Sequence, residues 1–209
     1  MRVLYLLIII CLSQTLYAQT NPNQFTKYAS ITAGRSTHGT GDMKGISQKI
    51  TYGKYFRKKL VWSISVGASI HDGSLRSSTT QSDGTVLDHS FRYTAGGIQT
   101  SVGLGYNFIK TKRNELGLKI DGILRYQSSS YFDQLFIIFD PKTTGIPYPA
   151  TYIINTSPQK TYAIGVSPEL FYNHSIGKSL FLGATANFQA DTNGDVITNL
   201  SISVGKRFN

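Results

Sequence analysis

The stretch Leu116–Gln127 reads LGLKIDGILRYQ. Leu116, Leu118, Ile120, Leu124 and Tyr126 are apolar, while Lys119, Asp121, Arg125 and Gln127 fall between them. Successive side chains of a strand point to opposite faces, so the even positions form an apolar face and the odd positions a polar one. On a helix the same residues would scatter around the axis. The spacing predicts a strand with something wet or ionic on one side.

Similar alternation recurs along the chain, and no helical period appears beyond the first 18 residues. Eight strands are predicted near 26–36, 45–56, 60–71, 89–108, 116–127, 161–172, 180–190 and 196–208. The third is the cleanest, with Leu60, Trp62, Ile64, Val66, Ala68 and Ile70 alternating with Ser63, Ser65, Gly67 and Ser69. In the fourth, Phe91 and Tyr93 have the opposite parity to Ile98, Val102 and Leu104, which predicts a bulge at Gly96-Gly97. Pro168 predicts a bulge or irregularity in the sixth.

The connections alternate in character. Those near 57–59, 109–114 and 173–179 are short and hold Arg57, Lys58, Lys59, Lys110, Lys112, Arg113 and Lys178. Those near 37–44, 72–88, 128–160 and 190–195 are mostly longer and hold most of the acids. Short turns at one end and long loops at the other are the pattern of an outer-membrane barrel, and the short end is expected in the periplasm.

Composition agrees. Charged residues make up 15% of the chain, below the ~25% usual for soluble domains. Met1-Arg2, the apolar run Val3–Leu12 and Leu16-Tyr17-Ala18 form a secretory signal pattern. That run rises only ~15 Å as a helix, too little for a membrane span. We read residues 1–18 as a signal peptide and 19–209 as one barrel domain. The only cysteine, Cys11, lies in the signal and follows Ile10, which disfavours lipidation. The net charge of +10 raises the question of nucleic acid. Export and the scarcity of clustered Lys and Arg exclude that partner.

A soluble lipocalin-like barrel would also alternate, with its apolar face inward. The polar faces of the third, fourth, seventh and eighth strands are mostly Ser, Thr, Gly, Asn and Gln, which suits a narrow interior better than a solvated surface. The charges on the polar faces are of both signs: Lys49, Lys119, Asp121, Arg125, Glu169 and Arg207. Opposite charges in a narrow lumen can pair, so these six form a candidate structural charge network with no catalytic role. Asp121 and Glu169 are the only acids placed inside. Tyr52, Phe56, Trp62, Tyr106, Phe108, Tyr126, Tyr172 and Phe208 gather near strand ends, as interfacial girdles do.

The chain resembles the small eight-stranded outer-membrane barrels of the OmpA/OmpX type. Its most specific element is the end, SISVGKRFN, an alternating strand with a terminal aromatic. The resemblance implies that Phe208 is read by the barrel assembly machinery, although Asn209 departs from the strict pattern. It also implies a protein embedded in outer-membrane lipid. The family includes anchors, adhesins, receptors and a few lipid-modifying enzymes.

Other constellations have plain readings. Asp191, Asn193 and Asp195 match the first ligand spacings of a calcium loop, but Asn193-Gly194 is a hairpin turn signal. His71-Asp72 and Asp88-His89 lack a tight metal-ligand spacing and read as rim residues. No G-x-S-x-G selects a nucleophile, and Gly103-x-Gly105 reads as small residues lining the lumen. No cofactor or metal site is expected. Within 128–160, FDQLFIIFD and ATYIIN flank a Gly/Pro turn and predict a hairpin protruding beyond the membrane, a candidate contact for an extracellular partner. The alternative is a ten-stranded barrel. The expected function is a structural or surface-interaction role, with a soluble lipocalin-like barrel or a lipid-modifying barrel enzyme as alternatives.

Overall fold

The computed structural model describes residues 26–39, 42–57, 59–80, 83–138, 142, 145, 150–156 and 158–209. Residues 1–18, where a signal peptide is expected, Lys58 and most of 139–149 lie outside the described residues. Eight long strands close into one antiparallel barrel: β1 (Lys27–His38), β2 (Met43–Tyr55), β3 (Leu60–Leu75), β6 (Phe91–Lys110), β7 (Asn114–Ser129), β10 (Lys160–Ile176), β11 (Leu180–Asp191) and β12 (Val196–Phe208). Each pairs with its neighbours along the chain, and β12 returns to pair with β1. Four short strands stand apart as two hairpins: β4 (Ser78–Thr80) with β5 (Val86–Asp88), and β8 (Gln134–Ile138) with β9 (Ala150–Ile154). The second is the predicted protrusion, so the barrel has eight strands and not ten.

The barrel is inside out relative to a soluble protein. Ile31, Ile50, Leu104, Ile120 and Ile202 are 57–65% exposed on its outer wall. Ser63, Ser65, Asn107, Lys119, Asp121, Arg125, Glu169 and Arg207 are buried inside. Such an exterior is stable against hydrocarbon, and closure leaves no unpaired edge for lipid to meet. The chain is therefore a transmembrane β-barrel. Tyr52 packs against Trp62 and Phe208 at 6.0 and 6.2 Å near the short-turn end. Tyr126 meets Tyr162 at 5.1 Å near the long-loop end.

Several expectations are corrected. No register shift occurs at Gly96-Gly97, because β6 pairs with β3 without a break from Phe91 to Tyr106. Tyr93 and Ala95 simply face inward, and with Met43 they form the apolar cluster at the long-loop end, flanked by Leu75 and Phe91. The shift in β6 lies between Asn107 and Ile109 instead. At Pro168 the expected irregularity is present, without a bulge: the ladder to β7 is continuous. The ladder to β11 skips Ser167 and Pro168 and resumes in register at Glu169, as expected of a residue with no N–H to donate. The connections at 39–42 and 192–195 are short turns, because the strands beside them run on to His38, Met43, Asp191 and Val196. At the latter, Gly194 takes a φ of +78° and donates its N–H to the Asp191 carbonyl at 3.0 Å, which makes DTNGDV a turn.

Candidate functional site: the barrel interior

Inward-facing side chains from the barrel strands meet in three tiers. The middle one holds four of the six charges singled out from the sequence. Lys119 Nζ lies 3.1 Å from Asp121 Oδ2 and 3.1 Å from Glu169 Oε1, and Lys49 pairs with the other oxygen of Glu169. Asp121 reaches into space left by Gly103, where an added Cβ would fall 1.8 Å from its Oδ1. Glycine at that position leaves room for a carboxylate between β6 and β7.

Towards the short turns, Arg207 pairs with Glu115 at 3.1 Å and donates to Ser175 Oγ at 2.6 Å. Tyr55 donates to Glu115 at 2.8 Å, and Lys110 sits 3.7 Å from the same carboxylate and 3.2 Å from the centre of the Tyr55 ring. Glu115 corrects the expectation that Asp121 and Glu169 are the only interior acids: it is 1% exposed. It shares the parity of Lys119 and Asp121 but lies just before the predicted strand began. Lys110 reaches inward because of the register shift beyond Asn107, a turn of the backbone that no local residue pattern announced.

Towards the long loops, Arg125 is held mainly by neutral groups. It donates to Gln127 Oε1 at 2.9 Å and to Ser69 Oγ and Gln99 Oε1 at 3.2 Å each. Gln127 then donates to Asp195 at 2.7 Å, and the other Asp195 oxygen lies 3.2 Å from His38 Nε2. His38 stacks on His71 with ring centres 5.3 Å apart, and His71 bonds Ser36 at 2.6 Å. The His71-Asp72 and Asp88-His89 pairs therefore separate. Asp72 turns outward to Arg92, while His89 bridges Thr79 and Thr151 at 3.0 and 2.9 Å, joining the two hairpins.

Small cavities separate the tiers. One of about 30 Å³ lies between Arg125 and the Lys49–Glu169 pair, and another of about 30 Å³ lies between that pair and Tyr28, Tyr55 and Phe181. Each has room for about one water molecule. Among the described residues, no three His, Cys, Asp or Glu side chains gather as a metal site. Phe208 ends β12 on the outer wall, opposite Lys27.

No protein-family model matches this chain, and no curated protein sequence does. Solved structures do match. Neisserial surface protein A is 12% identical, with 87% of this chain and 97% of that one covered at a TM-score of 0.56. Ail, the attachment invasion locus protein of Yersinia pestis, is 8% identical over 88% of this chain and 99% of its own, with a TM-score of 0.49. The N-terminal β-barrel domain of Pseudomonas aeruginosa OprF is 12% identical over 88% of this chain and all of its own, with a TM-score of 0.45. At 12% identity the likeness to Neisserial surface protein A is one of fold, and it agrees with the closed eight-stranded barrel. This chain has the fold of the small eight-stranded outer-membrane β-barrels.

Proposed function

We propose that this chain is an integral outer-membrane protein whose interior is occupied by its own side chains and which acts at the cell surface through its long-loop end. The observation that carries the reading is the Lys49–Glu169–Lys119–Asp121 cluster, which fills the middle of the lumen between two cavities of about 30 Å³ each. An eight-stranded barrel is just wide enough for side chains to fill. The long loops face outwards and the short basic turns face the periplasm, as in barrels of this kind. The β4–β5 and β8–β9 hairpins, tied through His89, form the platform for an extracellular partner. The barrel works without a catalytic step: its interior charges hold one another, and Ser36 and the His71 ring it meets are both buried in the wall of the lumen. The apolar exterior disfavours a soluble lipocalin-like carrier.

Conductance across a planar lipid bilayer tests the closed lumen. Inserted protein should leave the baseline unchanged, and removing Glu169 and Asp121 together should open a small leak. A steady open current from the unaltered protein would refute the reading.

A further inference from the structure

The outer wall is not uniform. On β7 and β10 the lipid-facing positions from Leu116 to Tyr126 and from Tyr162 to Tyr172 carry no charge and no polar amide. On β1 and β2 the apolar stretch is broken. Register places Leu200, Arg35, Ile46 and Ile70 side by side on one rung of the outer face, so Arg35 sits at the depth of three exposed aliphatic side chains. The next rung towards the membrane centre reads Ile202, Ala33, Gln48, Ala68 and Ile98, which leaves Gln48 standing between two alanines. The rung on the other side carries Thr198, Thr37, Lys44 and Asp72.

Arg35, Lys44 and Gln48 are exposed, and none forms a side-chain hydrogen bond or ion pair with another described residue. The one acid on these rungs, Asp72, is already engaged by Arg92 and Thr94. Because Ala33 and Ala68 are short, the wall is dented there. The dent has a volume of about 490 Å³ and is lined by Ala33, Arg35, Ile46, Gln48, Ala68 and Ile70, among others. An apolar hollow in a membrane wall with a cation at one end and an amide within it matches an amphiphile. The hollow takes a chain, the amide meets a linkage and the cation meets a charged head.

We propose that this face binds a lipid bearing a phosphomonoester headgroup, with the phosphate between Arg35 and Lys44, an acyl chain in the hollow and its ester or amide linkage on Gln48. The inference deepens the reading of the outer wall as lipid-facing and rests on it. Arg35 and Lys44 are diagonal neighbours on adjacent strands, a spacing of roughly 7–8 Å, close enough for both long side chains to reach one phosphate. A phosphomonoester carries about −1.5 to −2 charges at neutral pH, which two cations balance better than they balance a single-charge phosphodiester. Snorkelling lets both side chains reach the headgroup level while their stems stay in the apolar layer. A second copy of the chain could use the alanines and Gln48 for close packing, but symmetry would then bring like charges from the two copies towards each other.

The test uses the full barrel in nanodiscs of phosphatidylcholine doped with phosphatidic acid or with phosphatidylglycerol. The lipid retained per released barrel is read by native mass spectrometry. Phosphatidic acid should be retained, and Arg35→Gln with Lys44→Gln should lower that retention roughly tenfold or more. Lys54→Gln with Lys206→Gln, on the outer wall near the short turns, should leave it unchanged. Ala33→Leu, which fills the hollow with both charges intact, should also weaken it. Equal retention by the Arg35 and Lys44 variant overturns the site, and equal retention of phosphatidylglycerol overturns the choice of headgroup. Disulfide cross-linking between copies of Gln48→Cys would assign the face to a second barrel instead. If the outer wall were not lipid-facing, the unaltered protein would fail to enter the nanodisc at all, which separates that failure from loss of the lipid site.

Discussion

Lys119 and Glu169 are direct cross-strand partners between β7 and β10, and their side chains meet inside the barrel at 3.1 Å. Glu169 also holds Lys49, so a single carboxylate gathers two cations from opposite parts of the wall. Glu169→Gln leaves both lysines without their shared counter-charge. Loss of one partner from such a buried set costs ~3–5 kcal/mol. Asp83, in the exposed turn between β4 and β5, accepts the Thr85 N–H at 2.9 Å and has no buried counter-charge to lose. Urea unfolding from detergent micelles should therefore show a clear fall in midpoint for Glu169→Gln and almost none for Asp83→Asn. Matching midpoints would mean that the lumen is well hydrated and its charges screened.

Strand β7 separates the two faces in one experiment. Ile120→Arg places a charge on the lipid side, which costs ~2–4 kcal/mol near the midplane, whereas Ser128→Arg near the rim should cost at most ~1 kcal/mol. Gln127 also lies near the rim, and from sequence an arginine there reads as equally mild. Its burial between Arg125 and Asp195 changes that expectation, since the new cation would face Arg125. The fraction that folds into vesicles should rank Ser128→Arg above both other variants.

Gly205 and Gly122 offer a steric contrast. A Cβ on Gly205 would meet the Phe181 ring at 2.3 Å and the Ala29 carbonyl at 2.7 Å, while on Gly122 its nearest neighbour is 3.8 Å away. Gly205→Ala should lower stability by ~1–3 kcal/mol through overpacking. Gly122→Ala should stay within about 0.5 kcal/mol of the parent. Heat-modified mobility on gels would rank them.

His89→Ala should act on the hairpins alone. Losing the contacts to Thr79 and Thr151 frees β4–β5 from β9, so proteolysis within 76–90 and 130–159 should quicken while the barrel's unfolding midpoint holds. A fall in that midpoint would show that the hairpins brace the barrel itself.

Protease added to intact cells tests the orientation. Arg76, beside the β4–β5 hairpin, should be open to trypsin, and Lys178, in the turn between β10 and β11, should be protected until the membrane is breached. The reverse pattern would invert the proposed topology.

Period-two alternation made the wall legible in the sequence, because the side that Ile120 or Lys119 faces is set by the pleat and needs no partner. The interior network was legible only in part. Glu115 has the right parity, but the alternation begins clearly only at Leu116, while β7 starts at Asn114. Lys110 depends on a register shift that two strands make together, so its own neighbours carry no trace of it. The parity of Phe91 and Tyr93 reads as a break in β6 only if every apolar side chain faces lipid. Near the long-loop end apolar residues turn inward and pack with Met43, and parity alone does not reveal where that reversal begins. The stack of His38 on His71 joins strands that are not neighbours in the sheet, and no spacing along the chain encodes it.

The seam between β1 and β12 runs from Lys27 opposite Phe208 to His38 opposite Ile197. Contacts so distant along the chain are slow to form, because loop closure must be met before they stabilise anything. The first strand made is thus the last to be satisfied, and until β12 arrives the sheet is a curved ribbon with two bare edges. Bare edges are templates for pairing with other chains. Trimming β12 would not yield a narrower seven-stranded cylinder; it would leave an adhesive ribbon. Closure therefore sets β12 in competition with any foreign strand that reaches β1 first.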